Sequence, residues 1–268
     1  MRAGRVYAAS SMPDRTHPAP PDILALRAEI DALDDAMHDL LMRRAGVVAT
    51  LAASRAKGQG PALRPGREAV ILRRLLARHA GPLPRAALVR LWRELLAATT
   101  TMQGTLSIAA CLDGPEMEVL RQHFGLTAPI RPMADTPAVL AVMAAGEASL
   151  AALPWPDAGD GGGAGRWWTW LDSSRAFVTA SLPFFGPATR PVMVLSPLPP
   201  DPSGDDRTLF RLPASGAAAA LQAAGFAPLS IRFAEGLALA ELPGFWMNEP
   251  RLRGIGTPLG AFAAPLPA

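Results

Sequence analysis

The sequence contains a single cysteine, Cys111, in 268 residues, which excludes an intrachain disulfide framework and any metal site built from several cysteines. Its four histidines show no paired ligand spacing, so we expect no structural metal. Long apolar runs are also missing: residues 1–21 lack the hydrophobic segment of a secretory signal and end in prolines. We therefore expect a disordered tail over residues 1–21, no membrane contact and a cytoplasmic protein.

The formal net charge of +3 hides an asymmetry between the two halves of the chain. Residues 22–104 carry twelve Arg and one Lys against eight acidic residues, whereas residues 105–268 carry ten Arg against fourteen acidic residues. Several arginines of the first half fall on or beside apolar stripes instead of crowding one exposed face. This placement argues against nucleic-acid binding and favours a small anionic ligand.

Three helices are predicted in the first half. Apolar residues recur at spacings of three and four over Asp22–Lys57, which indicates one amphipathic helix of about 50 Å. Asp22 can cap its first turn. A short helix opens at Pro65, and a third runs from about Pro84 to Gln103. Because helices of such unequal length cannot cover one another's apolar stripes, we expect a homodimer in which two long helices pair.

The pattern changes after Gly104 to short apolar runs that alternate with turns and with two helical stretches, which predicts an α/β region. A proline-rich linker, Pro197–Gly204, separates its two parts. The predicted fold class is thus multidomain: an all-α three-helix module over 22–104, an α/β lobe over 105–196 and an α+β domain over 205–268.

Polar residues interrupt the apolar stripes of these helices. Arg44 takes a position where the first helix calls for an apolar side chain, and a desolvated guanidinium requires an anion. On the third predicted helix, Thr99 and Gln103 make the C-terminal end of the apolar face polar. Each of these residues alone is typical of a stripe edge, where long side chains reach solvent, but several of them together indicate a binding site.

The helical module resembles the all-helical class of chorismate mutases. The resemblance lies in LALRAEIDALDDAMHDLLMRR (Leu24–Arg44), in Arg55, in LRPGREAVILRRL (Leu63–Leu75) and in LVRLWRELLAATTTMQ (Leu88–Gln103). It covers about 80 residues and implies an intertwined dimer that binds the dianion chorismate and rearranges it to prephenate in the shikimate pathway of aromatic amino-acid biosynthesis.

The resemblance also implies which residues bind the substrate. Arg27 matches the arginine that each subunit extends into its partner's pocket, and Arg44 matches the first carboxylate-binding arginine of its own pocket. Arg67 matches a second arginine, and Thr99 falls at a serine of the family. Arg64 stands where the family often has an aspartate that contacts the substrate. This difference affects the residue that helps to orient the substrate.

Three further residues match the catalytic positions of the family. Arg55 falls at its catalytic lysine, Gln103 at its ether-contacting glutamine and Glu68 at its glutamate. The chemistry explains these residue types, since a unimolecular rearrangement needs no metal or cofactor, only a clamped dianion and donors to the ether oxygen. Arg55 keeps a cationic donor but has a different reach and geometry from lysine.

The C-terminal region resembles the prephenate dehydratase and ACT segments that follow this mutase in bifunctional enzymes. The similar runs include TLSIAACLDGPEMEVLRQHFG (Thr105–Gly125) and DDRTLFRLP (Asp205–Pro213). Because the Thr-Arg-Phe motif of the dehydratase is absent, we expect no prephenate dehydratase activity. The ACT-like part leaves an aromatic amino acid as a candidate effector of this region.

Two alternatives to the mutase stay open at this stage. The chain could be a non-catalytic regulatory or scaffold protein that binds an aromatic-pathway metabolite, an alternative that Arg55 and Arg64 favour. It could also be an isochorismate pyruvate lyase, because that reaction uses a similar dianion and a similar set of donors.

Overall fold

The computed structural model describes residues 22–55, 63–104, 106–125, 128–158, 163–187 and 190–267, so the predicted tail lies outside the described residues. The helices are α1 Ile23–Arg55, α2 Pro65–Ala77, α3 Arg85–Thr101, α4 Gly114–Phe124, α5 Thr136–Ala144 and α6 Ala217–Ala223, with 3-10 helices at Ala164–Thr169 and Pro250–Leu252. The strands are β1 Ile108–Ala110, β2 Ile130–Pro132, β3 Leu150–Pro154, β4 Phe177–Leu182, β5 Val192–Ser196, β6 Asp206–Pro213, β7 Ser230–Ala234, β8 Leu237–Pro243 and β9 Thr257–Ala263. The chain divides after Val47 into two units.

Helix α1 confirms the predicted long helix through its last described residue, Arg55. The Asp22 carboxylate accepts a hydrogen bond from the backbone N–H of Leu24 at 3.0 Å, so it caps the helix as expected. The apolar stripe of α1 is exposed, with 56% of Ile30 and 65% of Val47 open to solvent. Within the described ranges, no helix has both the length and the hydrophobicity needed to cross a bilayer.

The two shorter predicted helices are also confirmed. Helix α2 begins at Pro65, whose ring fits the first turn because that turn needs no backbone donor there. It buries Ala69, Leu72 and Leu76, and it packs against α3, β4 and β9. Helix α3 buries Val89 and packs against α4. Both helices belong to the second unit, together with the whole sheet.

The α/β region is built on one nine-stranded sheet with the order β2-β1-β3-β5-β4-β9-β6-β8-β7. Strand β1 is parallel to β2 and β3, while β5 is antiparallel to both β3 and β4. Strand β6 is antiparallel to β8 and β9, and β7 is antiparallel to β8. The predicted fold class, an all-α N-terminal module followed by an α/β region, is confirmed.

Strand β9 joins the two parts that the sequence assigned to 105–196 and 205–268. It pairs in parallel with β4 of the first part and antiparallel with β6 of the second. At the crossing with β4, Gly260 has φ +146°, and a Cβ there would lie against the backbone of Val178. Only glycine permits this approach. One sheet therefore spans the predicted boundary, and the division into domains stays a prediction.

Both faces of the sheet are covered by apolar side chains. Residues alternate between the faces, so Ala109 packs with the buried Trp167 and Trp168 on one side while Ile108 packs with Leu120 of α4 on the other. The indole N–H groups of the two tryptophans donate to the carbonyls of Pro154 and Asp157 at 2.9 and 3.0 Å. Helix α2 closes a further core over the sheet: Ala69, Leu72, Phe184 and Ala263.

Candidate functional site

The two arginines predicted on α1 differ in their surroundings. Arg27 is exposed, and Arg44 is half-buried. Burial lowers the pKa of Arg44 below its ordinary value, as expected for a guanidinium on an apolar stripe. The side chain of Arg55 lies outside the described residues, so its predicted role stays a prediction.

The start of α2 is bound to the proline-rich linker. The guanidinium of Arg64 lies 3.3 Å from the Asp201 carboxylate, which also accepts a hydrogen bond from the backbone N–H of Gly66 at 3.2 Å. This anion satisfies one of the unpaired donors of the first helical turn and complements the helix dipole. Arg64 thus has a carboxylate partner within the protein, while Arg67 is exposed to solvent.

Glu68 forms a buried ion pair that the sequence analysis missed. Arg93 Nη1 donates to Glu68 Oε2 at 2.7 Å, and the two residues are only 6% and 8% exposed. The same Nη1 lies 3.2 Å from Nε2 of His123 on α4. Since arginine only donates, His123 Nε2 is the acceptor, and the ring carries its proton on Nδ1. Helices α2, α3 and α4 meet at this cluster.

The electrostatics of the cluster follow from its burial. Burial raises the pKa of Glu68, although the charge of Arg93 and its hydrogen bond act in the opposite direction. Burial likewise lowers the pKa of Arg93. For His123, burial and the charge of Arg93 both lower the pKa well below 6.5, so the imidazole is neutral at neutral pH. The imidazole of the cluster is therefore neutral, and the 2.7 Å contact between Glu68 and Arg93 is that of an ion pair.

The predicted polar residues at the end of α3 contact their own helix. Thr99 is buried, and its hydroxyl donates to the Leu95 carbonyl at 2.8 Å. Gln103 is half-buried, and its Nε2 donates to the Thr99 carbonyl at 3.0 Å. Such contacts to the preceding turn hold both side chains along the helix.

Among the predicted residues of the second unit, Glu68 on α2 and Thr99 and Gln103 on α3 thus stand on two helices that pack together. Arg93, His123 and Asp201 were missed. A signal existed for Arg93, because Val89, Arg93 and Leu96 follow the 4-3 spacing of a buried face. His123 and Asp201 come from distant parts of the chain and give no local signal.

Residues 26–104, which include α2, α3 and most of α1, match the family model described as chorismate mutase type II. The N-terminal module is thus similar to chorismate mutase type II domains. This confirms the family that the spacing of arginines, Glu68 and Gln103 suggested. The type II domain accounts for less than a third of the chain.

Curated relatives extend the similarity beyond the type II domain. A protein of Pseudomonas aeruginosa named bifunctional chorismate mutase/prephenate dehydratase is 30% identical over 146 residues, which cover 51% of this chain and 40% of the relative. A protein of the same name from Neisseria gonorrhoeae is 35% identical over 103 residues, covering 37% of this chain and 27% of the relative. The chain spans about 40% of the length of the Pseudomonas relative that it matches.

Solved structures give weaker similarities. Prephenate dehydratase from Streptococcus mutans matches with a TM-score of 0.44 and 15% identity over 60% of this chain and 100% of its own. Prephenate dehydratase from Arthrobacter aurescens in complex with L-Phe matches with a TM-score of 0.46 and 11% identity. This match covers 59% of this chain and 90% of the other. A quorum quenching acylase matches with a TM-score of 0.46 and 19% identity, over 60% of this chain and 96% of its own. At these TM-scores, the similarities decide neither fold nor function.

Proposed function

We propose that this protein is a chorismate mutase, an isomerase that rearranges chorismate to prephenate in aromatic amino-acid biosynthesis. The observation that carries the proposal is the match of residues 26–104, the helical module, to the type II family. The relatives named bifunctional chorismate mutase/prephenate dehydratase support the same activity.

The reaction requires positioning more than chemical participation by the protein. Chorismate carries two carboxylates, and it must fold into a compact conformer before its ether bond breaks and a new carbon–carbon bond forms. Guanidinium groups can hold both carboxylates through paired hydrogen bonds and so fix the reacting carbons near contact. Donors aimed at the ether oxygen then stabilise the charge that develops there in the transition state.

The proposed roles follow the predicted residues. Arg44 and Arg67 of one subunit bind the substrate carboxylates with Arg27 of the partner copy, while Thr99 and Arg64 contribute to substrate binding. Two donors, Arg55 and Gln103, are directed to the ether oxygen.

Glu68 accepts a hydrogen bond from the ring hydroxyl in this proposal. Its pairing with Arg93 through Oε2 is compatible with that role, since a carboxylate has several acceptor positions. In the complex, Gln103 must direct its amide donor to the substrate as well as to its own helix.

A homodimer is part of the proposal, and the surface of α1 supports it. Eight apolar residues along this helix are each more than 40% exposed: Ile23, Leu26, Ile30, Leu33, Met37, Leu40, Val47 and Leu51. A contiguous apolar stripe of this length is typical of an interaction surface. A second copy of the same helix offers a matching stripe, which a twofold interface would bury.

The decisive experiment follows the loss of chorismate absorbance with the purified full chain. We expect enzyme-dependent loss of chorismate and accumulation of prephenate. No loss above the uncatalysed rate, with the helical content of the protein intact, would contradict the proposal. Product analysis with chorismate and isochorismate separates the mutase from the lyase. A search for phenylpyruvate among the products tests the prediction that dehydratase activity is absent.

A second candidate, a non-catalytic protein that binds an aromatic-pathway metabolite, is favoured by one observation. Two predicted substrate contacts, Arg64 and Glu68, are engaged with Asp201 and Arg93 of the protein itself. Calorimetry distinguishes the candidates, because a binder retains chorismate unchanged whereas an enzyme converts it.

A further inference from the structure

A cavity of about 150 Å³ lies where α3, α4 and the Pro183–Phe185 segment meet. Its polar lining comes from Arg90 and Arg93 on α3 and from Gln122 and His123 on α4, and Phe184 and Phe185 add an aromatic wall. A cavity of about this volume in another protein is large enough to bind benzene. None of the eight residues predicted for the mutase site is among its lining residues.

The charges around the cavity favour an anion. Two guanidinium groups line it, and its lining contains no carboxylate. Arg90 is exposed, and among the described side chains no carboxylate forms an ion pair with it. Carboxylates near the cavity include Glu68, bound to Arg93, and Glu118, which accepts a hydrogen bond from Gln122 at 3.0 Å. Glu94 follows Arg93 on α3 and stands four residues after Arg90. Arg90 is thus a cation in the lining that forms no ion pair with a carboxylate of the described residues.

The aromatic wall favours a ligand with a flat, apolar ring. Phe184 is only 5% exposed, and the guanidinium of Arg93 lies 5.7 Å from its ring centroid. Arg85 stacks in the same way over Phe185 at 5.7 Å. A ring placed against these side chains gains apolar contact and an edge or face interaction. The cavity volume suits a ligand of about one six-membered ring with a small substituent.

We propose that this cavity binds a small aromatic monocarboxylate, with the carboxylate against Arg90 and Arg93 and the ring against Phe184 and Phe185. One carboxylate suffices, because the two arginines stand about one turn apart on the same helix and both line the cavity. The guanidinium fork is suited to a planar carboxylate.

The proposed site shares Arg93 with Glu68. A ligand carboxylate and the Glu68 carboxylate compete for the same guanidinium, so ligand binding weakens the hold of Arg93 on Glu68. Thermodynamic linkage requires the converse, namely that removal of the Glu68 charge tightens ligand binding. Glu68 is also a candidate residue of the mutase site. A ligand effect on chorismate turnover would follow, and this last step alone rests on the proposed function.

The test is a calorimetric titration of the full chain with benzoate. We expect saturable binding with one site per chain, and about tenfold weaker binding to Arg90→Gln, which loses a charge-assisted contact. Arg121→Gln is the matched control: it removes the same charge from an exposed position on α4 that does not line the cavity, and it should bind as the wild type does. Ala86→Phe, which fills the cavity without a change in charge, should abolish binding.

Two further arms test the ligand class and the coupling. Benzyl alcohol, of similar size but uncharged, and inorganic phosphate, charged but not aromatic, should both bind at least about tenfold more weakly than benzoate. Glu68→Gln should bind benzoate more tightly than the wild type. If this variant does not fold, the Arg90 and Ala86 variants still decide the proposal.

Benzoate binding that is absent, or unchanged in both Arg90→Gln and Ala86→Phe, would overturn the site. Equal binding of phosphate would overturn the aromatic ligand class. Binding is measured without turnover, so a chain that binds benzoate in this way but leaves chorismate unchanged would contradict the proposed function while supporting the cavity.

Discussion

Glu68 and Arg93 stabilise the protein only as a pair. Each charge is removed from water, and each is compensated by the other across a 2.7 Å contact. Removing one partner leaves a buried charge with no compensation, which typically costs about 3 to 5 kcal/mol, whereas replacing both by apolar residues of similar size is often neutral. Single and double substitutions should therefore have very different effects.

Glu68→Gln should lower the free energy of unfolding by about 3 kcal/mol, because Arg93 then stays charged without a carboxylate partner. The double variant Glu68→Met/Arg93→Met should lose less than the single variant. Urea unfolding followed by tryptophan fluorescence measures both. A cost below about 1 kcal/mol for Glu68→Gln would mean that water or another group solvates Arg93.

His123 should make the protein sensitive to mild acid. Its pKa in the folded state lies well below 6.5, the ordinary value, so below that pH the unfolded chain takes up a proton that the folded chain does not. The free energy of unfolding therefore falls with decreasing pH, with a limiting slope of about 1.4 kcal/mol per pH unit. The raised pKa of Glu68 acts in the opposite sense, because the folded chain then holds the extra proton.

Replacement of the imidazole isolates its contribution, since the effect of Glu68 stays in both proteins. In His123→Gln, the loss of stability between about pH 6.5 and pH 5 should be smaller than in the wild type. His38→Gln, at an exposed position on α1, serves as the control and should keep the wild-type slope. Identical slopes for all three proteins would show that His123 is protonated in the folded state.

Gln103→Ala should lower kcat for chorismate by more than about tenfold if its amide stabilises the developing charge on the ether oxygen. The change should appear in kcat more than in KM, because the contact strengthens in the transition state. Gln222→Ala, at an exposed glutamine on α6, is the control. A Gln103→Ala enzyme with unchanged kcat would remove this residue from the proposed mechanism.

At the scale of elements, one arginine attaches α2 to the end of the sheet. The two Nη atoms of Arg73 donate to the Ser203 carbonyl and hydroxyl at 3.0 and 2.8 Å, to the Asp205 carbonyl at 2.7 Å and to the Ala264 carbonyl at 3.0 Å. The guanidinium also lies over the Phe184 ring. The position of α2, and with it Glu68, therefore depends on the linker before β6 and on the residue after β9.

Arg73→Lys keeps the charge but not the planar fork, so it should lower the free energy of unfolding by about 1 to 3 kcal/mol. Arg74→Lys changes an exposed neighbour on the same helix and should stay within about 0.5 kcal/mol of the wild type. Thermal unfolding of the three proteins makes the comparison. Equal stability of Arg73→Lys would show that a single ammonium can replace the four contacts.

At the scale of the whole molecule, the proposed mutase site depends on a second chain. In the proposed dimer each pocket takes Arg27 from one copy and Arg44 from the other, so a monomer should be inactive. The exposed apolar stripe of α1 supplies the surface for pairing, at about 25 cal/mol for each Å² of apolar area that becomes buried.

Mixing two inactive variants tests the sharing of sites. Arg27→Ala and Arg44→Ala should each be inactive alone, and activity should return when the two are unfolded and refolded together. In a heterodimer, one of the two pockets then has both arginines. Mixtures of Arg27→Ala with itself, treated in the same way, are the control. Verified heterodimers without activity would show that Arg27 does not act in the partner's pocket.

The sequence predicted the features that depend on local spacing. The start of α2 at Pro65 and the cap at Asp22 follow from the chemistry of single residues within one turn. The ion pair of Glu68 with Arg93 could not be predicted, because it depends on how α2 packs on α3. Asp201, whose carboxylate binds the start of α2, is 135 residues away from Gly66 in the chain, and no local pattern connects the two. The pairing of β9 with β4 could not be predicted either, because these strands are far apart in the chain.

The place of β9 inside the sheet also sets an order of events during synthesis. Strands β4 and β6 are each paired on one side by strands made before β9, namely β5 and β8. Until Thr257–Ala263 leaves the ribosome, the nascent chain holds two partial sheets, and each presents an open edge that is buried in the finished protein. Open edges of this kind invite pairing with other chains. Pairing of this one strand closes both edges at once, so until β9 has been made the two edges stay open to other chains.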